Sequence, residues 1–528
     1  MGVTRTLYKY GIDFGTTNSS IALHYDADGK GILDTIVFDV DQNLISRSLL
    51  PSLVYIDVTG NASVGTRGKN EFRSPELDAS LKKLIRKVKL SLDETKDDVE
   101  IARMGSTTYK ISDVIGLLLK ELKKKADRYH NISTDGFVFG VPVEYNDACK
   151  LVMLEATVKA GFYNTIDDAK KSVEFLSEPV SVALDYGLNL NEDKTVFVFD
   201  FGGGTLDLAI VQLHSTNDNS GTHEVIAKKR LTLGGEKYTE LFFKKAILQK
   251  VGRMELLRQF RYDRFLDPDE IWNRLQADPM GSEFIDRIEQ AKCELSYEPD
   301  VIFSFVSSDL KRNINITQKL AREDFEQSIE DSMLDIYDAI EDCLGEIDLS
   351  ADSIDEVLMA GGSSLIPAVI KEVRRAFGDD KVRDPNKNAL TSIVKGLAIK
   401  GYEVNEHEWV EDITESDYGI WIEETQTVNV VVKRNTPIKE TTTDKSDIEK
   451  GCYIDVKSID DDLPRIQVYQ NDTNIGEFRL PVRGSGHYRI YYEIDKNKGI
   501  LTVQVFDRRN MQWYNDLLRH NKLSIQNV

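Results

Sequence analysis

Two stretches of the sequence share a pattern in which an apolar run ends in aspartate, phenylalanine and glycine. Residues 10–25 read YGIDFGTTNSSIALHY, and residues 196–211 read VFVFDFGGGTLDLAIV. In the second stretch, the run Val196 to Phe199 is rich in β-forming residues, and a new apolar run follows the glycines. No helical pattern and no Walker lysine follows this turn, unlike the phosphate loops that lead from a strand into a helix. We therefore predict a β-hairpin with a glycine-rich tip.

Each tip offers groups that bind phosphate and a hard cation. Glycine permits positive φ and a close approach of the backbone, and consecutive N–H groups in such turns bind anions. Asp13 and Asp200 could hold Mg²⁺, often through water, while neighbouring threonines supply hydroxyl groups. Ordinary glycine-rich turns with capping aspartates are the alternative interpretation. The repetition of the pattern favours two related halves that face one nucleotide.

Length and charge limit the class of protein. A chain of 528 residues is too long for a single core and predicts roughly three or four structural units. The net charge of −22 argues against non-specific nucleic-acid binding and against docking on acidic membranes. The four cysteines have no metal-binding spacing, and neither a signal peptide nor an apolar run of membrane length is evident. We expect a cytoplasmic protein without nucleic-acid or membrane partners.

The sequence changes character near residue 410. Strands alternate with helices up to about residue 402, which predicts α/β layers, whereas short alternating strands from about residue 416 predict an all-β domain. The basic run KKLIRKVK, at residues 82–89, is interpreted mainly as the solvent-facing side of a helix. The predicted divisions are an α/β domain at 1–402, an acidic linker at 403–415, a β domain at 416–508 and a C-terminal tail at 509–528.

Several motifs, in order along the chain, resemble the heat shock protein 70 family of the actin and sugar-kinase superfamily. GIDFGTTNSS and DFGGGTLD are similar to its two phosphate motifs, FLSEPVSVALDYG to its first connecting motif, and VLMAGGSSLIP to its adenosine motif. PVEYNDA and IEQAKCELS also resemble this family, and VVVKRNTPIK, IGEFRL and IDKNKGILTVQVFD are similar to its β substrate domain. The resemblance covers residues 7 to 508. It implies an α/β actin-like two-lobed ATPase domain followed by an all-β sandwich domain.

The resemblance implies an ATPase that holds ATP or ADP with Mg²⁺, and usually K⁺, between its lobes. Asp13 and Asp200 would hold Mg²⁺ through its waters, and Glu178 would help to position the attacking water. Lys82, in the stretch SLKKLI, matches the catalytic lysine of the family. A lysine at that point could offset charge that develops on the phosphate.

Further residues are implied in nucleotide binding, and Thr205 is also implied in catalysis. Leu365 and Cys293 depart from the family beside the adenine, which bears on nucleotide affinity. The implied residues are Gly15, Thr16, Thr17, Asn18, Gly202, Gly203, Gly204, Thr205, Gly234, Gly235, Glu236, Glu289, Lys292, Ser296, Gly361, Gly362 and Ser363.

The β domain departs further from the family. Ile420 and Ile422 are the candidate peptide-binding residues, whereas Glu423 and Pro464 stand at positions where the family's groove is apolar. The linker reads EWVEDIT instead of a short aliphatic run, and too few residues follow Asp507 for the family's helical lid. We therefore expect any peptide binding to be weak, fast and poorly coupled to ATP.

Three functions compete at this stage. The first is an ATP-dependent, slowly hydrolysing, chaperone-like protein that binds unfolded or extended polypeptide, with a co-chaperone or nucleotide-exchange factor as a further partner. The second is a regulatory or co-chaperone member that binds nucleotide without a peptide cycle. The third, a sugar kinase or filament-forming protein, is the weakest, because neither class explains the C-terminal β motifs. A monomer or weak oligomer is expected.

Overall fold

The structure is a computed structural model with two α/β lobes followed by a β sandwich. It describes residues 7–27, 30–36, 48–74, 77–95, 97–130, 134, 136–143, 145–187, 190–215, 223–309, 312–383, 385, 387–403, 410–414, 416–422, 426–438, 453–458, 465–479, 486–495 and 499–514.

Lobe I is formed by the first part of the chain. Its strands are β1 (Leu7–Tyr8), β2 (Tyr10–Phe14), β3 (Asn18–Ala27), β4 (Lys30–Thr35), β5 (Leu50–Pro51), β6 (Val54–Asp57), β7 (Ala62–Val64), β8 (Lys82–Ile85), β9 (Glu100–Met104), β10 (Thr107–Lys110), β11 (Phe137–Val141) and β12 (Val173–Ser177). Its helices are α1 (Gly65–Arg73), α2 (Val88–Thr95), α3 (Ile111–His130), α4 (Asp147–Lys159), α5 (Ile166–Ser172) and α6 (Glu178–Gly187).

Lobe II follows, and the chain then returns to lobe I. The strands of lobe II are β13 (Lys194–Phe201), β14 (Leu206–Leu213), β15 (His223–Leu231), β16 (Asp300–Ser308), β17 (Asn313–Ala321) and β18 (Glu356–Ala360). Its helices are α7 (Gly235–Phe242), α8 (Leu248–Val251), α9 (Arg253–Phe260), α10 (Pro268–Ala277), α11 (Pro279–Leu295), α12 (Arg322–Ile329), α13 (Asp331–Gly345) and α14 (Pro367–Phe377). The returning elements are α15 (Ser392–Lys400) and β19 (Tyr402–Glu403), which pairs with β1. Strand β20 (Val410–Glu411) then pairs with β15 of lobe II.

The main sheets of the two lobes have related topologies. The order is β12-β11-β2-β3-β4 in lobe I, with β5 beside β3, and β18-β13-β14-β15-β20 in lobe II. In each sheet a central antiparallel hairpin, β2–β3 or β13–β14, has a parallel strand beside its first strand. This arrangement confirms the predicted pair of related hairpins.

Helix formation and packing follow from the pattern of apolar residues. The predicted amphipathic helix at residues 111–130 is confirmed as α3, which buries Ile111, Val114, Leu118 and Leu122 on one face. Each lobe has its own apolar core, and a third cluster joins them through α6 and α15. In the described part of the chain, no helix is both long and apolar enough to cross a membrane.

The basic run at residues 82–89 does not form the side of one helix. Its first half is β8, which pairs with β6, and its second half begins α2. Lys87, between them, has a φ of 58° in the left-handed region, so the extended chain ends there and a helix starts. Lys82 and Lys89 consequently lie on different elements, and both are buried rather than solvent-facing.

Two four-stranded antiparallel sheets form the C-terminal sandwich. The strands are β21 (Tyr418–Ile422), β22 (Thr427–Val432), β23 (Tyr453–Ser458), β24 (Arg465–Gln470), β25 (Thr473–Arg479), β26 (Gly486–Ile494), β27 (Leu501–Asp507) and β28 (Gln512–Tyr514). The sheet orders are β22-β21-β24-β25 and β23-β26-β27-β28. Strand β28 lies beyond residue 508, where the sequence predicts a tail, because its backbone pairs with β27.

Ile420 does not line an open groove. Its side chain is fully buried in the apolar core of the sandwich, beside residues from both sheets. The side chain of Ile422 lies outside the described residues, and so do Glu423, Pro464 and Trp409.

The β domain packs on lobe I around Asp147, the first residue of α4. The carboxylate of Asp147 is fully buried, and it accepts hydrogen bonds from the Tyr418 hydroxyl at 3.1 Å and the Leu501 N–H at 3.0 Å. Its own N–H donates to the Gln470 side chain at 3.3 Å. One residue of lobe I therefore binds three strands of the sandwich.

The linker packs on lobe II, contrary to the expectation from its acidic sequence. Ile413 is buried in the apolar cluster between the lobes, next to the paired strands β20 and β15. Lys228, which is 1 % exposed, forms an ion pair with Asp412 at 2.7 Å, and the Arg434 guanidinium donates to the Lys228 carbonyl at 2.7 Å. The linker is therefore docked on lobe II by strand pairing, by one apolar side chain and by a buried ion pair. In the family resemblance, a short aliphatic run stands at this position instead.

We expect Asp147→Ala to loosen the contact between the β domain and lobe I. Two buried donors would lose their acceptor, at a cost of about 1–3 kcal/mol for each one left unsatisfied. Hydrogen exchange at the amide of Leu501 measures the effect and should become faster. Asp167→Ala, which removes an exposed acid from the first turn of α5, is the matched control. Unchanged exchange in the Asp147 variant would show that this residue does not hold the domains together.

Candidate active site

The tips of the two central hairpins meet at one cleft between the lobes. The β2–β3 tip contributes Gly15 to Asn18, and the β13–β14 tip contributes Gly202 to Thr205. The cleft has a volume of about 400 Å³, which is within the range of small-molecule sites. Two strand pairs that are distant in sequence therefore present glycines and hydroxyl groups to the same space.

Gly203 and Gly204 at the second tip leave no room for a Cβ atom. A Cβ atom on Gly203 would lie 2.2 Å from Thr17 Oγ1, and one on Gly204 would lie 2.6 Å from Thr16 Oγ1. Neither glycine has its φ in the left-handed region, so a positive φ, which the sequence analysis considered, is not the reason for them. The two hairpin tips touch each other across the cleft, and any side chain there would separate them.

The second tip also offers backbone donors. The Gly202 N–H donates to the Thr205 carbonyl at 3.0 Å and closes the turn. Among the hydrogen bonds of the described residues, none uses the N–H of Gly203 or of Gly204. Two neighbouring N–H groups can therefore donate to an anion in the cleft.

The loop from Gly234 to Glu236 supports this tip from behind. A Cβ atom on Gly234 would lie 2.4 Å from the Gly203 carbonyl oxygen, and the Glu236 N–H donates to that carbonyl at 2.9 Å. The Thr17 hydroxyl donates to the Glu236 carboxylate at 3.1 Å. Glu236 therefore holds both tips together and does not line the cleft, whereas Gly235 does line it.

Two buried carboxylates face the cleft from opposite lobes. Burial raises the pKa of Asp13 to about 7, with the charge of Glu178 acting in the same direction and Lys89 opposing it. Burial, followed by the charges of Glu178, Asp207 and Asp13, raises the pKa of Asp200 well above its usual value. The site thus contains more negative charge than its own cations balance, which favours a bound cation.

Asp207 connects the second tip to lobe I. Its carboxylate accepts a hydrogen bond from the Thr205 hydroxyl at 2.6 Å and another from the Val143 N–H at 2.8 Å. Burial raises the pKa of Asp207 to about 7, although Arg230 lies 3.8 Å away. The orientation of the Thr205 hydroxyl is therefore fixed by a residue that also contacts the opposite lobe.

Lys89, and not Lys82, is the lysine of the cleft. The Lys89 ammonium donates to the carboxylate of Glu178, and both side chains line the cleft and are almost fully buried. Burial alone would lower the pKa of Lys89, but the carboxylates of Glu178 and Asp13 raise it above its usual value. The Lys82 ammonium instead donates to the carbonyl of Ser74, away from the cleft wall.

Helix α11 forms part of the cleft wall beside the Gly234–Glu236 loop. The Lys292 ammonium contacts Glu289 at 2.8 Å, the Gly235 carbonyl at 2.8 Å and the Thr239 hydroxyl at 2.9 Å. An ammonium group has three donors, so these three acceptors engage all of them. Lys292 therefore positions Gly235 and Glu289, and it offers no further donor to a ligand unless one of these bonds breaks.

The turn after β18 forms another part of the cleft wall. Gly361 has a φ of 79°, and a Cβ atom there would lie 2.3 Å from the Phe201 carbonyl oxygen, so this position requires glycine. At Gly362 the nearest atom to a Cβ would be Leu390 Cδ2, at 3.5 Å. The Ser363 hydroxyl donates to the Gly202 carbonyl at 2.8 Å, which ties this wall to the second hairpin tip.

Ion pairs join the lobes above the cleft. Lys87 of lobe I contacts Glu236 of lobe II at 3.1 Å, and Lys69 contacts Asp286 at 2.9 Å. Arg86 reaches the same helix of lobe II and donates to the Ser282 hydroxyl at 2.6 Å. These contacts connect the two lobes beside the cleft.

The structure brings most of the predicted site residues together. Lys82, Gly234 and Glu236 are the predicted residues that do not line the cleft. Lys89 and Tyr297 also line the cleft and are not among the predicted residues. Tyr297 follows Glu289 and Cys293 at intervals of four residues, a helical spacing that points to it. Predicted residues on the cleft wall are Asp13, Gly15, Thr16, Thr17, Asn18, Glu178, Asp200, Gly202, Gly203, Gly204, Thr205, Gly235, Glu289, Lys292, Ser296, Gly361, Gly362 and Ser363.

The fold and the cleft define a two-lobed, actin-like nucleotide-binding domain with a β sandwich packed against it. The family model described as Hsp70 protein matches residues 9–515. Because that match covers nearly the whole chain, the protein belongs to the Hsp70 family. Members of this family are ATPases that bind ATP or ADP with Mg²⁺ and act generally as ATP-dependent chaperones on unfolded polypeptides.

The residues present fit the Mg²⁺ ion that the family implies. Asp200 Oδ1 is buried without a hydrogen-bond partner, and Asp13 faces the same cleft. In the described ranges, no group of three or more His, Cys, Asp or Glu side chains is arranged to hold a metal ion. Two carboxylates, together with water and substrate phosphates, are the usual environment of Mg²⁺ in nucleotide sites.

We expect Gly203→Ala to destabilise the protein without any nucleotide present. Its Cβ would force the two hairpin tips apart, and overpacking of this kind costs about 1–3 kcal/mol. Gly202→Ala is the matched control, since the nearest atom to its Cβ would be the Thr205 carbonyl oxygen at 3.7 Å. Thermal melting of the two variants should show a lower transition for Gly203→Ala only. Equal melting curves would mean that the tips do not touch as described.

Proposed function

We propose that the protein binds MgATP in the cleft, hydrolyses it slowly, and couples this to polypeptide binding by the β domain. One observation supports the proposal most strongly: a single cleft contains both glycine-containing tips, the Lys89–Glu178 ion pair and the Asp200 oxygen that has no hydrogen-bond partner. K⁺ as a further ion, a co-chaperone or nucleotide-exchange factor as partner, and a cytoplasmic location remain parts of the proposal.

In the proposed reaction the chain's own groups position the phosphates and a water molecule. The N–H groups of Gly203 and Gly204 would donate to phosphate oxygens, and Asp13 and Asp200 would hold Mg²⁺. Bound Mg²⁺ supplies charge neutralisation on the phosphates. Glu178 orients the attacking water, whose oxygen bonds to the γ-phosphorus while the bond to the leaving ADP oxygen breaks.

Lys89 takes the role that the sequence analysis gave to Lys82. Its ammonium lies at the Glu178 carboxylate and is charged, so it can offset negative charge that develops on the transferring phosphoryl group. The ion pair also orients the Glu178 carboxylate. Positioning and electrostatics of this kind account for most of the catalysis in phosphoryl transfer.

The docked β domain supports coupling between ATP and polypeptide. It contacts lobe I through Asp147 and lobe II through Arg434, while the linker pairs with β15. A nucleotide that changes the angle between the lobes would change both contacts, and the effect would be reciprocal by thermodynamic linkage. The docked linker favours coupling, whereas the acidic linker sequence predicts poor coupling.

A regulatory member without a peptide cycle is the second candidate. The observation in its favour is Ile420, which is fully buried in the core of the sandwich and is closed to a ligand in this conformation. A β domain of this kind would bind a partner through its outer surface and would report the nucleotide state through docking alone.

We expect Lys89→Ala to reduce steady-state ATP turnover by about a hundredfold or more, because one charged group at the phosphoryl group is lost. Lys82→Ala is the matched control, since Lys82 is a buried lysine of the same basic run outside the cleft. MgATP affinity, measured in parallel by calorimetry, should remain within about tenfold for both variants. Loss of turnover in the Lys82 variant alone would restore the role implied by the family resemblance.

A labelled apolar peptide distinguishes the two candidate functions. For the chaperone, fluorescence anisotropy should give peptide affinities in ATP and ADP that differ by roughly five- to 150-fold, the usual range of allosteric coupling. Asp147→Ala should keep peptide binding and reduce this difference. No peptide binding in either nucleotide, with ATP turnover intact, would favour the regulatory member.

A further inference from the structure

A second cavity lies where the two lobes join, outside the cleft between the hairpin tips. It has a volume of about 570 Å³, and its wall is formed by the second half of α6, the start of β13, strand β18 and the start of α15. Among the described residues, Ala389 alone lines both this α6–α15 cavity and the cleft. The volume is within the range of small-molecule sites, so the cavity can take a ligand of its own.

Apolar side chains form one part of the wall of the α6–α15 cavity. Val182 of α6 lines it together with Leu358 and Met359 of β18, and all three residues are buried. Leu190, which follows α6, also lines the cavity and is buried. An apolar group of a ligand would lose contact with water against this part of the wall, which favours its binding.

Other groups on the wall already have a partner in Glu356, the first residue of β18. The Glu356 carboxylate forms ion pairs with Lys194 at 3.1 Å and with Arg383, and it accepts a hydrogen bond from the Tyr186 hydroxyl. The Arg383 guanidinium also lies over the Tyr186 ring, 4.8 Å from its centroid. This network fixes the end of α6 against lobe II and satisfies the groups that take part in it.

Asp185 of α6 and Lys395 of α15 are different, because they line the cavity as opposite charges that are not joined. Both are partly buried, whereas Glu192, another acid on the wall, is exposed to solvent. Among the hydrogen bonds and ion pairs of the described residues, none uses the Asp185 carboxylate or the Lys395 ammonium. Burial raises the pKa of Asp185 to about 6, and the charge of Lys395 opposes this effect. The two charges therefore act on each other without direct contact.

A partly buried charge without hydrogen bonds is unfavourable, and a ligand can relieve this cost by supplying the missing partner. A ligand that has an ammonium and a carboxylate close together would supply both partners at once. A peptide terminus has only one of these two groups, so it would satisfy either Asp185 or Lys395 but not both. An α-amino acid has both groups on one carbon atom.

We propose that the α6–α15 cavity binds a free α-amino acid that has an apolar side chain. The ammonium group of the ligand would donate to the Asp185 carboxylate, its carboxylate would accept from the Lys395 ammonium, and its side chain would pack on the apolar part of the wall. The inference goes beyond the proposed function and does not depend on the ligand of the cleft.

The test compares leucine with two derivatives that each lack one charge. Ligand-observed NMR titrations of the full chain, without nucleotide, measure the dissociation constants of L-leucine, of leucine methyl ester, which lacks the carboxylate, and of N-acetylleucine, which lacks the ammonium. We expect the wild type to bind leucine about ten- to 150-fold more tightly than either derivative, the usual contribution of a hydrogen bond to a charged group. This comparison uses the wild type alone, so it does not depend on the folding of any variant.

Two variants assign each charge of the ligand to its partner. Asp185→Asn and Lys395→Met should each weaken leucine binding by a similar factor. Asp185→Asn should not weaken N-acetylleucine binding further, and Lys395→Met should not weaken methyl ester binding further. Asp167→Asn and Lys170→Met are the matched controls, since they remove the charges of an exposed ion pair outside the cavity.

The pH dependence gives an independent measurement. Leucine binding to the wild type should weaken as the pH falls through about 6, because protonation removes the charge of Asp185, and Asp185→Asn should abolish this dependence. The other charged groups on the wall are Glu192, Lys194, Arg383 and Lys395.

The inference would be overturned if the wild type did not bind leucine at millimolar concentrations, or if it bound all three ligands equally. Wild-type affinity for leucine in both Asp185→Asn and Lys395→Met would also overturn it. None of these results would affect the proposed function, which the measurement of ATP turnover tests separately.

Discussion

The contact between the two hairpin tips is the constraint on which the cleft depends. Gly203 has no room for a side chain because Thr17 of the other lobe occupies the place of its Cβ. This approach brings Asp13 and Asp200 to one space and directs backbone donors of the second tip into it. The wall residues of α11 and of the turn after β18 are tied to the same tip through Gly235 and Ser363.

Buried charge is the second determinant of the site. The site contains four carboxylates but only two nearby cationic side chains, Lys89 and Arg230. The carboxylates are those of Asp13, Glu178, Asp200 and Asp207. Burying charge without a partner is expensive, so this arrangement is favourable when a cation and phosphates complete it. Burial beside other carboxylates raises the pKa of Asp13 and of Asp200. The Asp200 Oδ1 atom is also buried without a hydrogen-bond partner.

The packing of the β domain extends the influence of the cleft to the C-terminal part of the chain. Val143 donates to Asp207 at the second tip, and four residues later Asp147 accepts hydrogen bonds from the sandwich. The connection from the cleft to the β domain is therefore short. Lys228 and Arg434 provide a separate contact on lobe II, so the β domain and its linker are bound to both halves of the ATPase domain.

The sequence by itself determined the class of fold and most of the phosphate-binding residues. These features are local or follow the order of the chain, so the sequence alone reveals them. They are the repeated glycine-tipped hairpins, the change from α/β to β patterns and the ordered family motifs. The strand that follows residue 508 is not readable from the sequence, because it is defined by its pairing with β27. The same limit applied to the linker, whose docking depends on a lysine almost two hundred residues earlier in the chain.

Tertiary structure alone decided which lysine enters the cleft. Lys82 and Lys89 belong to one basic run, and the family resemblance favours Lys82. Lys87, whose φ lies in the left-handed region, separates the strand from α2. Lys89 on α2 therefore contacts Glu178, whereas Lys82 on the strand contacts the Ser74 carbonyl. Which side chains share a cavity depends on contacts between segments far apart in sequence, and periodicity along one segment does not specify its partner.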